Sequence, residues 1–247
     1  MQQHTNGSLI WLTFDLFSQF PNLVHGVFLR HGGVSGKNFH SLNFGLIEED
    51  LPENVWTNRT LALAALNITH ACYLWQRHGK KIVRANPYHL EEGDAMTTNH
   101  IDLGLMIQHA DCQAAIFYDP IHHCVANVHC GWRGNVQNIY QETILSMRTL
   151  YGTQPEDLFV GISPSLGPEA SEFINFNTEL PKSFYPFQFK PTYFDFWEIS
   201  RWQLITCGIL PHHIEIAGRC TCSNPSDFFS YRYAKVTGRN ATLVALK

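Results

Sequence analysis

HADCQAAIFYDPIHHCVANVHCGWRG (His109–Gly134) holds two short apolar runs, Gln113–Asp119 and Val125–Cys130, on either side of the turn dipeptide Asp119-Pro120. Runs of this length read as strands, and the turn permits a hairpin-like connection between them. Strand alternation puts Gln108, Ala110 and Cys112 on one face and His109 and Asp111 on the other. On the second strand Val125, Asn127 and His129 share a face, and Cys130 points the opposite way. Cys112 and His129 can therefore meet only where the two strand ends lie side by side.

Outward from this stretch the chain is mostly strands with few, late helices. Leu9 to Phe20 reads as a strand and turn, and Val24–Arg30 as a strand ending in the glycine-rich turn His31–Gly36. Ser41–Gly45 follows as a loop or short strand. Pro52 to Leu66 fits a helix, with proline and Glu53 in its first turn and Leu61, Ala64 and Ala65 at helical spacing. Strands are expected over 72–78, 80–86, 94–99 and 103–111. After Gly134 the period changes to that of a helix, with Val136, Ile139, Tyr140, Thr143, Met147, Leu150 and Tyr151 on one face and Gly152 as its stop. Phe159–Ser163 reads as a strand, Pro181–Pro191 as an irregular aromatic excursion, and Phe194–Cys207 as a helix. Ile214–Arg219, Phe228–Tyr233 and Ala241–Leu246 are expected as closing strands. This order predicts an α+β fold with mixed or antiparallel sheets, as one domain over residues 1–247.

Composition narrows the function classes. The 247 residues are 45% hydrophobic and only 15% charged, with a formal net charge of −4. No Lys/Arg block suits phosphate neutralisation along a nucleic acid, and no apolar run approaches the roughly 20 residues of a membrane span. The opening MQQHTNGSLIWLTFDLF has neither a basic start nor a small-residue cleavage site. Seven cysteines without regular spacing add to the expectation of a reducing, cytoplasmic compartment.

Fourteen histidines justify a search for metal ligands. His78, ending the Cys72 strand, can join Cys112 and His129. Two imidazoles and one thiolate suit zinc, with copper as the alternative ion, and three protein ligands leave a fourth position open for water or substrate. The same Cys112–His129 pair has two other readings: a cysteine nucleophile activated by histidine, or a buried structural thiol beside a core histidine. A multicopper oxidase would need HxH pairs and a His-Cys-His segment, which this chain lacks. Arg133, at the start of a helix, suits a phosphate or carboxylate, although Gly131 and Gly134 also explain the turn by themselves. Arg30 beside Gly32-Gly33 offers a second anion contact, with a plain glycine turn again as the alternative, whereas Arg59 inside a helix reads as a solvated surface arginine.

These residues, taken in order, resemble a known family. His25-Gly26, Arg30–Ser35, Ser41-Leu42-Asn43, Asn58-Arg59 and Gln76–Gly79 match the YfiH/YlmD proteins, long labelled polyphenol oxidases or laccase-domain proteins. Gly93–Ala95, Ala110–Cys112, His129–Gly134, Gly167-Pro168, Cys220-Thr221 and Phe228–Arg232 continue the match over nearly the whole chain. The resemblance implies an α/β sandwich related to the cysteine-hydrolase-like toxin fold and a zinc site on His78, Cys112 and His129. It implies phosphorolysis of adenosine, inosine or methylthioadenosine to base and ribose 1-phosphate, together with deamination of adenosine. The expected partners are purine nucleosides and phosphate, with neither nucleic acid nor membrane. In this frame Cys112, Asp111 and Arg59 are the expected catalytic residues, Asp111 orienting a ligand histidine or carrying a proton. Arg30, Asn43 and Arg133 are expected to bind substrate. A cysteine-dependent amidase editing a peptidoglycan precursor is the alternative. The chain departs from the family at Arg77, where Val is common, at His109, where Thr is common, and at Glu169-Ala170 in place of a cysteine pair.

Overall fold

A computed structural model describes residues 1–86 and 90–247. The turn at the heart of the opening stretch forms because the Asp119 carboxylate accepts the N–H groups of Ile121 (2.8 Å) and His122 (3.0 Å), with His123 in the left-handed region. The strands Gln113–Asp119 and Cys124–Cys130 then pair antiparallel, with Gln113 opposite Cys130 and Ala114 opposite His129.

These two strands are the middle of a six-stranded mixed sheet ordered Ile214–Ile216, Phe159–Ile162, Gln113–Asp119, Cys124–Cys130, Ala95–Thr98, Ile82–Arg84. A second six-stranded sheet is ordered Gln2–Asn6, Leu9–Thr13, Leu23–Phe28, Asn240–Leu246, Leu103–His109, His70–Cys72. The chain passes from one sheet to the other between His109 and Gln113, through Ala110, Asp111 and Cys112.

Period-two alternation sorts each strand between two cores. Leu105 and Ile107 from one sheet meet Ile116, Tyr118 and Val125 from the other in the central layer. Met106 faces outward, with Phe28, Phe44 and Leu243, to the helix Pro52–Ala65. Phe117, Ala126 and Val128 face outward to the helices Ile139–Tyr151 and Phe196–Thr206. The result is a helix–sheet–sheet–helix sandwich, in which each fully buried large aliphatic or Phe contributes about 1.5–3 kcal/mol. Asn127 joins the two sheets through its amide, which donates to Leu105 O (2.8 Å) and Thr242 O (2.9 Å).

Several expected elements differ. The helix after Gly134 is two helices, Trp132–Val136 and Ile139–Tyr151. Asn138 takes a left-handed φ of 52° between them, and its side chain accepts the Gln141 N–H as an N-cap. Val136 and Leu150 are consequently exposed, and Ile144 joins the buried face. The 72–78 strand breaks at Tyr73, leaving His70–Cys72 and Leu74–Trp75. Phe228–Tyr233 is not a strand: Asn224 O and Asn240 Oδ1 satisfy the N–H groups of Phe228 and Phe229 within a turn. An edge strand, Gln2–Asn6, stands where none was expected. Among the described residues no helix is long and apolar enough to cross a membrane.

One core group carries a testable acid sensitivity. His25 is buried between Phe14 and Phe17, and its Nε2 accepts the Phe14 N–H at 2.8 Å. Burial pulls its pKa down to about 3. The unfolded chain, with a pKa near 6.5, therefore binds the proton first. The neutral ring costs nothing above pH 6.5 and destabilises the fold as pH falls from there towards 3. At pH 5 this one group should remove about 2 kcal/mol. His25→Gln keeps an acceptor without a titration, so urea unfolding from pH 7 to 5 should show a shallower acid decline. Equal slopes for the two proteins would refute the assignment.

Candidate metal centre

Asp94, at the start of the Ala95–Thr98 strand, organises the site. Its carboxylate is 1% exposed and accepts three consecutive backbone N–H groups, from Arg77 (3.1 Å), His78 (2.9 Å) and Gly79 (2.8 Å). They hold His78 at a left-handed φ of 60°, a conformation that a non-glycine residue keeps only when its surroundings enforce it. The same carboxylate accepts from His129 Nδ1 at 2.9 Å, which turns Nε2 of that ring towards the other side chains of the cluster. Burial would raise the Asp94 pKa, but His129 and the backbone donors outweigh it and keep the group ionised.

Cys112 comes from the crossover between the sheets. Asp111, just before it, also has a positive φ, of 83°. The Thr221 hydroxyl and the Arg232 N–H, both at 2.6 Å, fix its carboxylate and so set the direction of the next side chain. The ligand atoms of His78, Cys112 and His129 all lie within 4.8 Å of one another. Burial would push the Cys112 thiol up, but the adjoining His129, helped by His78, holds it down to about 6. Burial would likewise lower His129, which Cys112 and Asp94 raise to about 9. A ready thiolate, an imidazole with its far nitrogen engaged and a second, exposed imidazole fit a zinc-type ion.

Gly131 closes one side of the cluster. A Cβ there would stand 2.9 Å from Cys112 Sγ and 3.1 Å from His78 Cδ2, so a larger residue would occupy the space between the ligands. Cys130 faces the other way, into the outer core, where burial raises its pKa. Cys220 Sγ accepts the Gly167 N–H at 3.2 Å, and all seven cysteines are free thiols. The His122 and His213 rings are used elsewhere, on Asp119 and on Phe159.

The cluster sits in a cleft of about 1030 Å³. Trp132, Phe173 and Phe196 make an aromatic wall, with Phe173 centred 5.9 Å from Trp132 and 5.1 Å from Phe196. Gln113 keeps that wall in place: its Nε2 donates to Phe196 O, and its Oε1 accepts from Tyr140 and Ser200.

The expected site residues divide. Arg59 and Arg133 line the cleft with His78, Cys112 and His129. Arg59 is not a solvated surface residue: it is 3% exposed, between the rings of Trp56 and Tyr73. Asp111 lines the cleft but contacts no ligand histidine; Asp94, which sequence reasoning missed, does so. Arg30 lies off the cleft wall, its guanidinium donating to His40 O and Pro225 O over the Phe229 ring. Asn43 is fully buried, with its amide engaged by Gly45, Asp50 and Arg239.

Two substitutions test the metal fit without touching a ligand. Asp94→Asn removes the charge behind His129, and Gly131→Ala fills the gap between Cys112 and His78. Each should weaken zinc about 10–100-fold by competition with a chelator. Unchanged affinity in both would show that the cluster does not bind the ion.

The chain matches, over residues 24–247, the family model described as multi-copper polyphenol oxidoreductase laccase. The purine nucleoside phosphorylase of Pseudomonas aeruginosa is 33% identical over 248 residues, which cover 96% of this chain and 98% of that protein. Purine nucleoside phosphorylase YfiH of Escherichia coli is 31% identical over 229 residues, covering 88% and 91%. The crystal structure of the Bacillus licheniformis hypothetical protein YfiH superposes with a TM-score of 0.87 at 26% identity, covering 98% of this chain and 97% of that one. Among the described residues one group of three or more His, Cys, Asp or Glu side chains, His78, Cys112 and His129, is close enough to hold a metal ion. In sequence and fold, the chain belongs to the YfiH/YlmD family.

Proposed function

We propose that this protein is a zinc-dependent purine nucleoside phosphorylase that also deaminates adenosine. The observation that carries the reading is the His78–Cys112–His129 cluster at an aromatic-walled cleft, together with relatives named for phosphorolysis. In phosphorolysis a phosphate oxygen bonds to C1′ of the ribose, the bond from C1′ to N9 breaks, and the base leaves with a proton. In deamination water replaces the amine at C6 and ammonia leaves.

Zinc held by the three ligands would supply Lewis acidity and an activated water at neutral pH. The protein's own groups do the rest. Trp132, Phe173 and Phe196 offer the purine a stacking surface that excludes water from one side of the cluster. Asp94 keeps His129 in the tautomer that presents Nε2, and the pinned Asp111 keeps Cys112 turned inward. Arg133, over the Trp132 ring at 4.3 Å, and the buried Arg59 are the phosphate or ribose contacts of this reading.

The Cys112–His129 contact also favours a second reading, a cysteine amidase acting on a cell-wall precursor. Metal and nucleophile compete for the same thiolate, so the metal content of active protein separates the two.

Purified protein should contain about one zinc per chain and convert adenosine or inosine with phosphate to free base and ribose 1-phosphate. His78→Ala should lose the metal and about a hundredfold or more of the activity. Metal-free protein that leaves nucleosides unchanged would sink the zinc reading. Alkylation of Cys112 that abolishes amide hydrolysis in such protein would establish the second.

A further inference from the structure

The buried segment Asn43-Phe44-Gly45, behind the cleft, holds two arginines that line it. Phe44 O accepts from Arg59 Nη2 (2.9 Å) and Nε (3.2 Å), while Phe44 N–H donates to Arg239 O (3.0 Å). Asn43 Oδ1 accepts the Arg239 N–H at 2.8 Å. A Cβ on Gly45 would stand 2.6 Å from Arg239 Cγ, so the stem of Arg239 runs directly over bare backbone. Both arginines line the cleft.

Neither has a carboxylate partner among the described residues. Arg59 gives two donors to one carbonyl and stacks on Trp56 (4.7 Å) and Tyr73 (4.3 Å). Arg239 spends Nη1 on Thr237 O and Gly238 O. Asp111 is the one acidic residue among those described on the cleft wall, and both its oxygens are taken. Arg133, Arg232 and Lys235 add further positive charge to the same cleft in a chain of net charge −4. Burial pulls Arg59 down to about 10 and lowers Arg239 as well, although Cys112 and Asp111 act on Arg239 in the opposite sense. Such an arrangement is stable in use when a ligand brings the missing anion.

We infer that Arg59 and Arg239 form an anion subsite of the cleft that takes a phosphoryl dianion, with Asn43 and Gly45 positioning Arg239. The charge and geometry stand alone; only the naming of the anion as a co-substrate rests on the phosphorylase reading. The phosphoryl group can come from inorganic phosphate or from a nucleoside 5′-phosphate.

Zinc-loaded, full-length protein titrated with inorganic phosphate and, separately, with adenosine 5′-monophosphate tests this. Binding is read from the melting temperature and from the fluorescence of tryptophan, since Trp56 carries the stacked guanidinium. Arg239→Gln and Arg59→Gln should raise the phosphate Kd, and the phosphate KM of inosine phosphorolysis, about tenfold or more, with little change in inosine KM. Gly45→Ala, which keeps both charges and displaces Arg239, should move the same constants. Arg239→Lys keeps the charge and loses the fork, and serves if Arg239→Gln fails to fold. Arginine-dependent phosphate binding without phosphorolysis would keep the subsite and remove the phosphorylase reading. Phosphorolysis with an unchanged phosphate KM in the Arg239 and Gly45 variants would do the reverse. Arginine-dependent binding of the monophosphate alone would assign the site to a phosphorylated nucleoside. Binding of neither probe would overturn the subsite.

Discussion

The Asp94 carboxylate is the point on which the centre depends. Of five hydrogen-bond donors at stake, three from one turn and one from the His129 ring converge on two buried oxygens, and the other is a backbone amide. The fifth, the His129 N–H, goes to the Asp94 carbonyl at 2.7 Å. A buried carboxylate left short of donors would be costly, so the turn at His78 and the ring of His129 are fixed together or not at all. Three segments distant in sequence thereby acquire one geometry, and Cys112 needs only the separate clamp at Asp111 to meet them.

Much of this was legible because strands sort side chains by parity. Alternation along 113–119 and 125–130 separates His129 from Cys130 without any structure, and the Asp119-Pro120 turn brings Cys112 and His129 to the same end. The elements that went unseen depend on contacts between distant residues. Asp94 reads only as the first residue of a strand and part of a matching family segment, since its partners lie 15 to 35 positions away. Arg59 had a local signal that a charge-based reading overrides: with Val55 and Ala62 it falls on the buried stripe of its helix. The break at Asn138 and the turn over Phe228–Tyr233 were hidden for a related reason. In each, an asparagine side chain satisfies a backbone group that a regular element would otherwise have claimed.

The cleft is asymmetric in charge and in character. Aromatic rings from the 132–196 region, locked by Gln113 through Tyr140 and Ser200, make one wall. Arg59, whose guanidinium is anchored on Phe44 O, and Arg239, whose backbone carbonyl accepts the Phe44 N–H, line the cleft elsewhere, as does the imidazole–thiolate cluster. A ligand with a flat apolar part and an anionic part has one sensible orientation here.

Asn127 has a consequence for how such a protein can change. Its amide ties Leu105 and Thr242 of one sheet to a strand of the other, so the sheets cannot slide to admit a larger or smaller ligand. New preferences must then arise in the connections at the cleft, around residues 43–50, 165–173 and 231–239, which can vary while the frame stays constant. The sandwich behaves as inherited infrastructure, and selection for a different substrate can act on its loops without reopening the question of how the chain folds.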